Sequence, residues 1–203
     1  MEASFTMRPI LFAFVFIAVI FTGGLDALSP AAAQAGDEED FVMDAFPHPT
    51  ADVDFWDSWG ARRSGGRPHR GTDIMSPRGT PVVAVAAGEI IIKKWHDLSG
   101  WYLGIRHDGG WDTYYVHLNN DTLGTDDGEG GEATAFAPGI EVGVLVEAGD
   151  VIGYVGDSGN AENTQPHTHF SLRKDDRPVN PFPYLEAAWN RQLAEYTKAD
   201  LVR

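Results

Sequence analysis

Past residue 40 the chain runs as short apolar stretches broken by glycine, and few of them are long enough for a buried helix. Seven stretches rich in β-branched and aromatic residues have strand length, at 81–86, 89–93, 101–107, 113–118, 142–146, 151–155 and 167–173. They predict an all-β domain over 55–185, built as a small antiparallel sheet or sandwich. The segment 119–139 is rich in Gly, Asp, Glu and Thr without an apolar period, so it reads as a long loop inserted between strands. After Asn180-Pro181-Phe182-Pro183, the residues Leu185, Trp189, Leu193 and Tyr196 recur at helical spacing and predict one C-terminal helix over 186–203. At the other end, Arg8 precedes unbroken apolar residues from Ile10 to Phe21, and a small-residue stretch follows that ends in Ala33-Gln34-Ala35. This is the pattern of a cleaved export signal over 1–35, too short for a spanning helix of about 20 residues. The expectation is an exported chain with no stable membrane anchor after cleavage, found in periplasm, cell wall or medium. The segment 36–54 is acidic, lacks Lys and Arg, and reads as a solvated leader.

Charge and cysteine content narrow the function. The 203 residues carry 30 acidic and 15 basic side chains, a formal charge of -15, and no Lys or Arg occurs between Arg106 and Arg173. Nucleic-acid binding rests on clustered cations, so that partner is excluded. With no cysteine there is no disulfide scaffold, thiolate metal site or cysteine nucleophile, and any metal must sit on His, Asp or Glu.

Seven histidines are therefore the place to look. A His-x-x-x-Asp spacing occurs at His69–Asp73 and at His48–Asp52, and chance supplies about one such pair in this composition. Four extended residues span roughly 13 Å, so two ligands of one ion at that spacing need a turn between them. Gly71 permits one, whereas the His48 pair contains Pro49 and lies in the acidic leader, which sets it aside. The second spacing is His167-Thr168-His169 in a predicted strand, where residues i and i+2 project from one face. Both imidazoles then address one cavity, and the residues alone leave open which of them would hold a metal. His117 stands alone on an apolar strand, a position more typical of a satisfied core histidine. The acids of 119–139 do not match an EF-hand spacing, so a solvated loop is preferred there to a Ca²⁺ site.

These pieces fit a known arrangement. Gly66-Arg67-Pro68-His69-Arg70-Gly71-Thr72-Asp73-Ile74, Tyr115-Val116-His117-Leu118, Gly149-Asp150-Val151-Ile152-Gly153 and Pro166-His167-Thr168-His169-Phe170 occur in this order. The set resembles the lysostaphin-type, LytM-like zinc metalloendopeptidases that cut peptidoglycan, and the likeness covers about 55–185. The resemblance implies a duplicated hybrid β motif with an open groove. It implies one catalytic Zn²⁺ on His69, Asp73 and His169, with His117 and His167 as catalytic histidines that are not ligands. It also implies a zinc-activated water as attacking group and a peptidoglycan stem peptide or cross-link as substrate. The alternative within the family is a non-catalytic wall-binding module or regulator of a murein amidase, and such domains are expected to lose some of these residues. A biotinyl or lipoyl carrier is suggested by the valines of 142–156, but none of Lys93, Lys94, Lys174 and Lys198 lies on a suitable hairpin. Arg62, Arg63, Arg67, Arg70 and Arg78 flank the first pair in an otherwise acidic chain and suit peptide carboxylates. Protein partners and oligomeric state are not legible.

Overall fold

A computed structural model of the chain describes residues 41–201, so the expected signal over 1–35 lies outside the described residues. The strands are β1 (Asp54–Phe55), β2 (Thr72–Met75), β3 (Pro81–Val83), β4 (Gly88–His96), β5 (Gly100–His107) and β6 (Trp111–Leu118). After a one-turn helix α1 (Glu132–Ala135) come β7 (Leu145–Val146), β8 (Val151–Tyr154), β9 (His167–Lys174), β10 (Arg177–Val179) and helix α2 (Phe182–Leu201). Eight strands form one antiparallel sheet in the order β1-β2-β9-β6-β5-β4-β7, with β10 also paired to β9, and β3 pairs with β8 separately. All seven expected strands are present. The sequence missed β1, β2 and β10, which are only two to four residues long and carry no readable alternation.

Side-chain alternation divides the central strands into a core face and a groove face. On β9, Phe170 and Leu172 are fully buried, and on β6 Tyr115 is fully buried and meets Phe170 edge to face at 5.3 Å. Burying each such side chain contributes about 2 kcal/mol, so the pairing of β6 with β9 is strongly determined. The same register fixes the opposite face: Asp73 of β2 and Val116 of β6 flank His169 of β9, and Met75 lies opposite His167.

Two boundaries differ from expectation. Residues 41–54 are not wholly a solvated leader: Phe41, Met43, Phe46 and His48 are buried. Phe46 packs on Trp189 at 5.0 Å and Phe55 at 5.2 Å, while Phe41 stacks on Trp111 at 5.2 Å. Backbone bonds Ala45 N to Val85 O (3.0 Å) and Val83 N to Pro47 O (2.8 Å) tie the segment down. Enough apolar surface at 41, 43 and 46 outweighs the acidity around it. Helix α2 also starts at Phe182 rather than 186, because Asn180 Oδ1 accepts from Phe182 N at 3.0 Å and caps it. Its Gln192 donates to His48 O at 3.0 Å and its Arg191 to Met43 O, so the helix holds the 41–50 segment in place. The 119–139 segment is mostly exposed, but Asn119, Asn120 and Asp121 are buried at its root and Ala135 and Phe136 at its end.

Candidate metal centre

Three elements deliver the first donor set. His69 ends a hairpin in which Arg62 bridges Pro68, Arg63 N bonds Arg67 O at 2.9 Å and His69 N bonds Ala61 O at 2.8 Å. Asp73 lies on β2 and His169 opposite it on β9. His69 Nε2, Asp73 Oδ1 and His169 Nδ1 form a triangle with edges of 3.1, 2.8 and 2.9 Å.

The hydrogen-bond network sets the tautomers, because a carbonyl can only accept. His69 Nδ1 meets Ser58 O at 3.2 Å, so its proton sits there and Nε2 is bare. Ser171 Oγ donates to Arg70 O at 3.0 Å and so accepts from His169 Nε2 at 3.0 Å, leaving Nδ1 bare. Burial alone would raise the Asp73 carboxyl, but its contacts with His169 and His69 outweigh burial and hold it well below the usual carboxylate range. Burial outweighs the contact with Asp73 and pushes His169 down toward the neutral form. Two imine lone pairs and a carboxylate oxygen thus face one point, an arrangement that a cation stabilises. Arg63 Nη2 serves there in this structure, 2.9 Å from His69 Nε2 and in contact with Asp73 Oδ2. Gly71 fits between: a Cβ on it would fall 2.6 Å from the His169 ring and 2.5 Å from Phe170 O.

His167 and His117 lie beside this triangle, with ring centroids 5.2 Å apart and His117 6.1 Å from His169. His167 follows from the i, i+2 rule on β9. His117 does not, because strict alternation after Tyr115 would send it into the core. Instead β5 and β6 lose register there, so Val116 and His117 together oppose Tyr102, and His117 takes φ of 64°. This bulge turns its ring into the groove. Both histidines donate from Nδ1 to backbone carbonyls, His117 to Ser158 and His167 to Gln165, each at 2.8 Å. Their Nε2 atoms are left bare, and burial, reinforced by His167, pushes His117 down to about 4.

All five residues line one open groove of about 660 Å³. One wall is the hairpin with Arg63, Arg67 and Arg70, and the other carries Leu98, Ser99, Asn160 and Thr164. The remaining candidates fall elsewhere. His107 is a satisfied core histidine bonded to Ala87 O at 2.7 Å and Thr113 Oγ1 at 2.8 Å. Arg78 is not at the groove: its guanidinium grips both oxygens of Asp157 at 2.7 and 3.0 Å, reaches Asp126 at 2.9 Å and touches Asp121. That arginine occupies the acid cluster at the root of 119–139. His48 sits behind β9, bonded to Thr168 Oγ1 at 3.0 Å on the core face.

With this geometry established, comparison with known proteins agrees. The model of "Peptidase family M23" matches residues 67–129 and 131–181, more than half the chain. The chain is similar to an L-Ala–D-Glu endopeptidase of Bacillus subtilis, 37% identical over an alignment 166 residues long that covers 76% of this chain and 45% of that one. It spans less than half the length of the curated relatives it matches. A LytM-type glycyl-glycine endopeptidase candidate from Ruminococcus gnavus superposes with TM-score 0.59 and 32% identity, over 73% of this chain and 61% of that one. A zinc-containing peptidase from Vibrio cholerae superposes with TM-score 0.53 and 28% identity, over 68% and 39%. Fold, groove and matched residues lead to one conclusion: the chain belongs to peptidase family M23.

Proposed function

We propose that this protein is an exported zinc endopeptidase that hydrolyses a peptide bond in peptidoglycan stems or cross-links. The observation that carries the reading is the convergence of His69 Nε2, Asp73 Oδ1 and His169 Nδ1 beside two imidazoles whose Nε2 atoms are bare. Two neutral nitrogens and one carboxylate oxygen are a zinc donor set with a coordination position to spare, the open form expected of a catalytic site. A bound zinc ion supplies Lewis acidity, which polarises a carbonyl and acidifies water.

The chain's own residues do the rest. Gln165 O fixes the His167 ring, so Nε2 is the atom that accepts a proton as water attacks and returns it to the departing amine. His117, held neutral by burial, lies 5.2 Å away ring to ring. A charge on His167 further disfavours protonation of His117, so the His117 ring stays neutral beside it. Ser171 and Ser58 orient His169 and His69, as outer partners of metal ligands do. The groove is open to solvent, as entry of a peptide requires. Peptidoglycan as substrate is supported by a Vibrio cholerae relative named as a peptidoglycan DD-endopeptidase, 32% identical over 56% of this chain, and the signal expected at 1–35 accords with export.

The test is release of soluble muropeptides from purified sacculi by the mature chain, with chelator, with zinc restored, and beside His167→Ala. Zinc-dependent release that His167→Ala abolishes is expected, with mass analysis identifying the bond. Bound zinc with no release from several wall types would replace this reading by the non-catalytic one, wall binding or amidase regulation.

A further inference from the structure

The hairpin wall of the groove has a chemistry that metal binding and proton transfer do not use. It carries Arg62, Arg63, Arg67 and Arg70 within nine residues of a chain whose formal charge is -15. Elsewhere arginines are spent on structure: Arg78 on three aspartates, Arg106 on Asp112, Arg191 on Met43 O. Among the described residues, Arg67 and Arg70 meet no carboxylate, and the Arg70 guanidinium rests 5.6 Å over the Trp59 ring. Both are exposed and both line the groove. The hairpin is held by its own backbone bonds, so these cations are presented by a built element. Its reach extends to the reacting centre, since Arg63 contacts Asp73 and His69. The opposite wall, with Leu98, Ser99, Asn160 and Thr164, has no charge. Like charges gathered on one side of a water-filled cleft repel one another and raise the local concentration of anions.

Resting on the endopeptidase reading above, we propose that Arg67 and Arg70 form a carboxylate-reading subsite, so that the preferred substrate carries a free carboxylate on the hairpin side of the scissile bond. Guanidinium forks match a carboxylate in two parallel hydrogen bonds, whereas a carboxamide offers one acceptor oxygen and no charge. The subsite therefore separates an acidic stem from its amidated form, which differ at a single group.

The experiment uses two synthetic peptides containing an L-Ala–D-Glu bond, one with the remaining glutamyl carboxylate free and one with it converted to carboxamide. Binding is measured by calorimetry on zinc-loaded His167→Ala protein, which leaves the peptides intact, and cleavage is measured separately on the unsubstituted protein. The acid is expected to bind at least about tenfold more tightly than the amide, with the difference shrinking as salt is raised. Arg67→Gln with Arg70→Gln is expected to close that gap to within about twofold, chiefly by weakening the acid, and Arg67→Lys to keep part of it. Equal affinity for acid and amide, failure of both to bind included, overturns the proposal, as does a gap that survives the double substitution. Carboxylate preference with no cleavage of these peptides and no release from any wall type would remove the endopeptidase reading and leave the subsite, and cleavage without preference would do the reverse.

Discussion

At the scale of single residues the site depends on two backbone choices that are visible only in three dimensions. His117 adopts φ of 64°, a left-handed conformation that a β-carbon makes costly by about 1 kcal/mol. The sheet imposes it because His117 N bonds Ser99 O at 3.0 Å and its ring bonds Ser158 O. His117→Gly is therefore expected to be more stable than His117→Ala by roughly 1 kcal/mol in denaturant titration, although both lose the imidazole. Equal stabilities would mean that the bulge relaxes once the ring is gone. Gly71 is the second choice. A methyl group there overlaps the His169 ring and Phe170 O, so Gly71→Ala is expected to weaken zinc retention against a competing chelator at least about tenfold and to destabilise the fold by about 1–3 kcal/mol. Retention as in the parent would show that β2 can move away from β9 without cost to the donor triangle.

At the scale of elements, the legibility of the sequence followed the periodicity of each segment. The long strands β4, β5, β6 and β9 were readable because their apolar residues alternate or run together over eight or nine positions. Strand β9 also displayed its histidines, since His167 and His169 obey the period of two. Strand β2 was silent: Thr72-Asp73-Ile74-Met75 is four residues long, and its Asp73 belongs to the site. His117 looked like a core residue because a bulge cannot be read from spacing, and only the family resemblance put it at the site. The segment 41–50 was hidden by its acids, though Phe41, Met43 and Phe46 were the available signal. That segment is now expected to be structural. Phe46 is 1% exposed between Trp189 and Phe55, so Phe46→Ala should cost about 3–5 kcal/mol and loosen the N-terminal end of α2 along with it. A loss below about 1 kcal/mol by urea titration would mean that the segment is dispensable to the fold.

At the scale of the whole molecule, charge and burial push stability in opposite directions as the solution is acidified. The isoelectric point is near 4.6, so lowering pH from 7 discharges a chain that carries -15 and relieves self-repulsion, a gain in stability. Buried histidines oppose it. Burial, with a further contribution from His167, pushes His48 from an ordinary 6.5 down to about 3, and burial with His167 pushes His117 to about 4. Between those values and 6.5 the unfolded chain binds protons that the native chain refuses. Each group therefore contributes stability that is present above pH 6.5 and is lost as pH falls toward its folded value, at up to about 1.4 kcal/mol per pH unit. Two such groups acting together outweigh the slow relief of a dispersed surface charge, so stability is expected to fall from pH 6.5 toward pH 4 despite the approach to the isoelectric point. His48 lies on the core side of β9, bonded to Thr168 rather than to the donor triangle, so it can be separated from metal loss. His48→Gln keeps a side-chain amide within reach of Thr168 Oγ1 and removes the titration. Urea unfolding of the parent and His48→Gln proteins at pH 7, 5.5 and 4.5 should show the parent losing more with each step, the difference approaching about 1.4 kcal/mol per unit. Parallel curves would mean that His48 is protonated in the native state and that the segment carrying it opens to water.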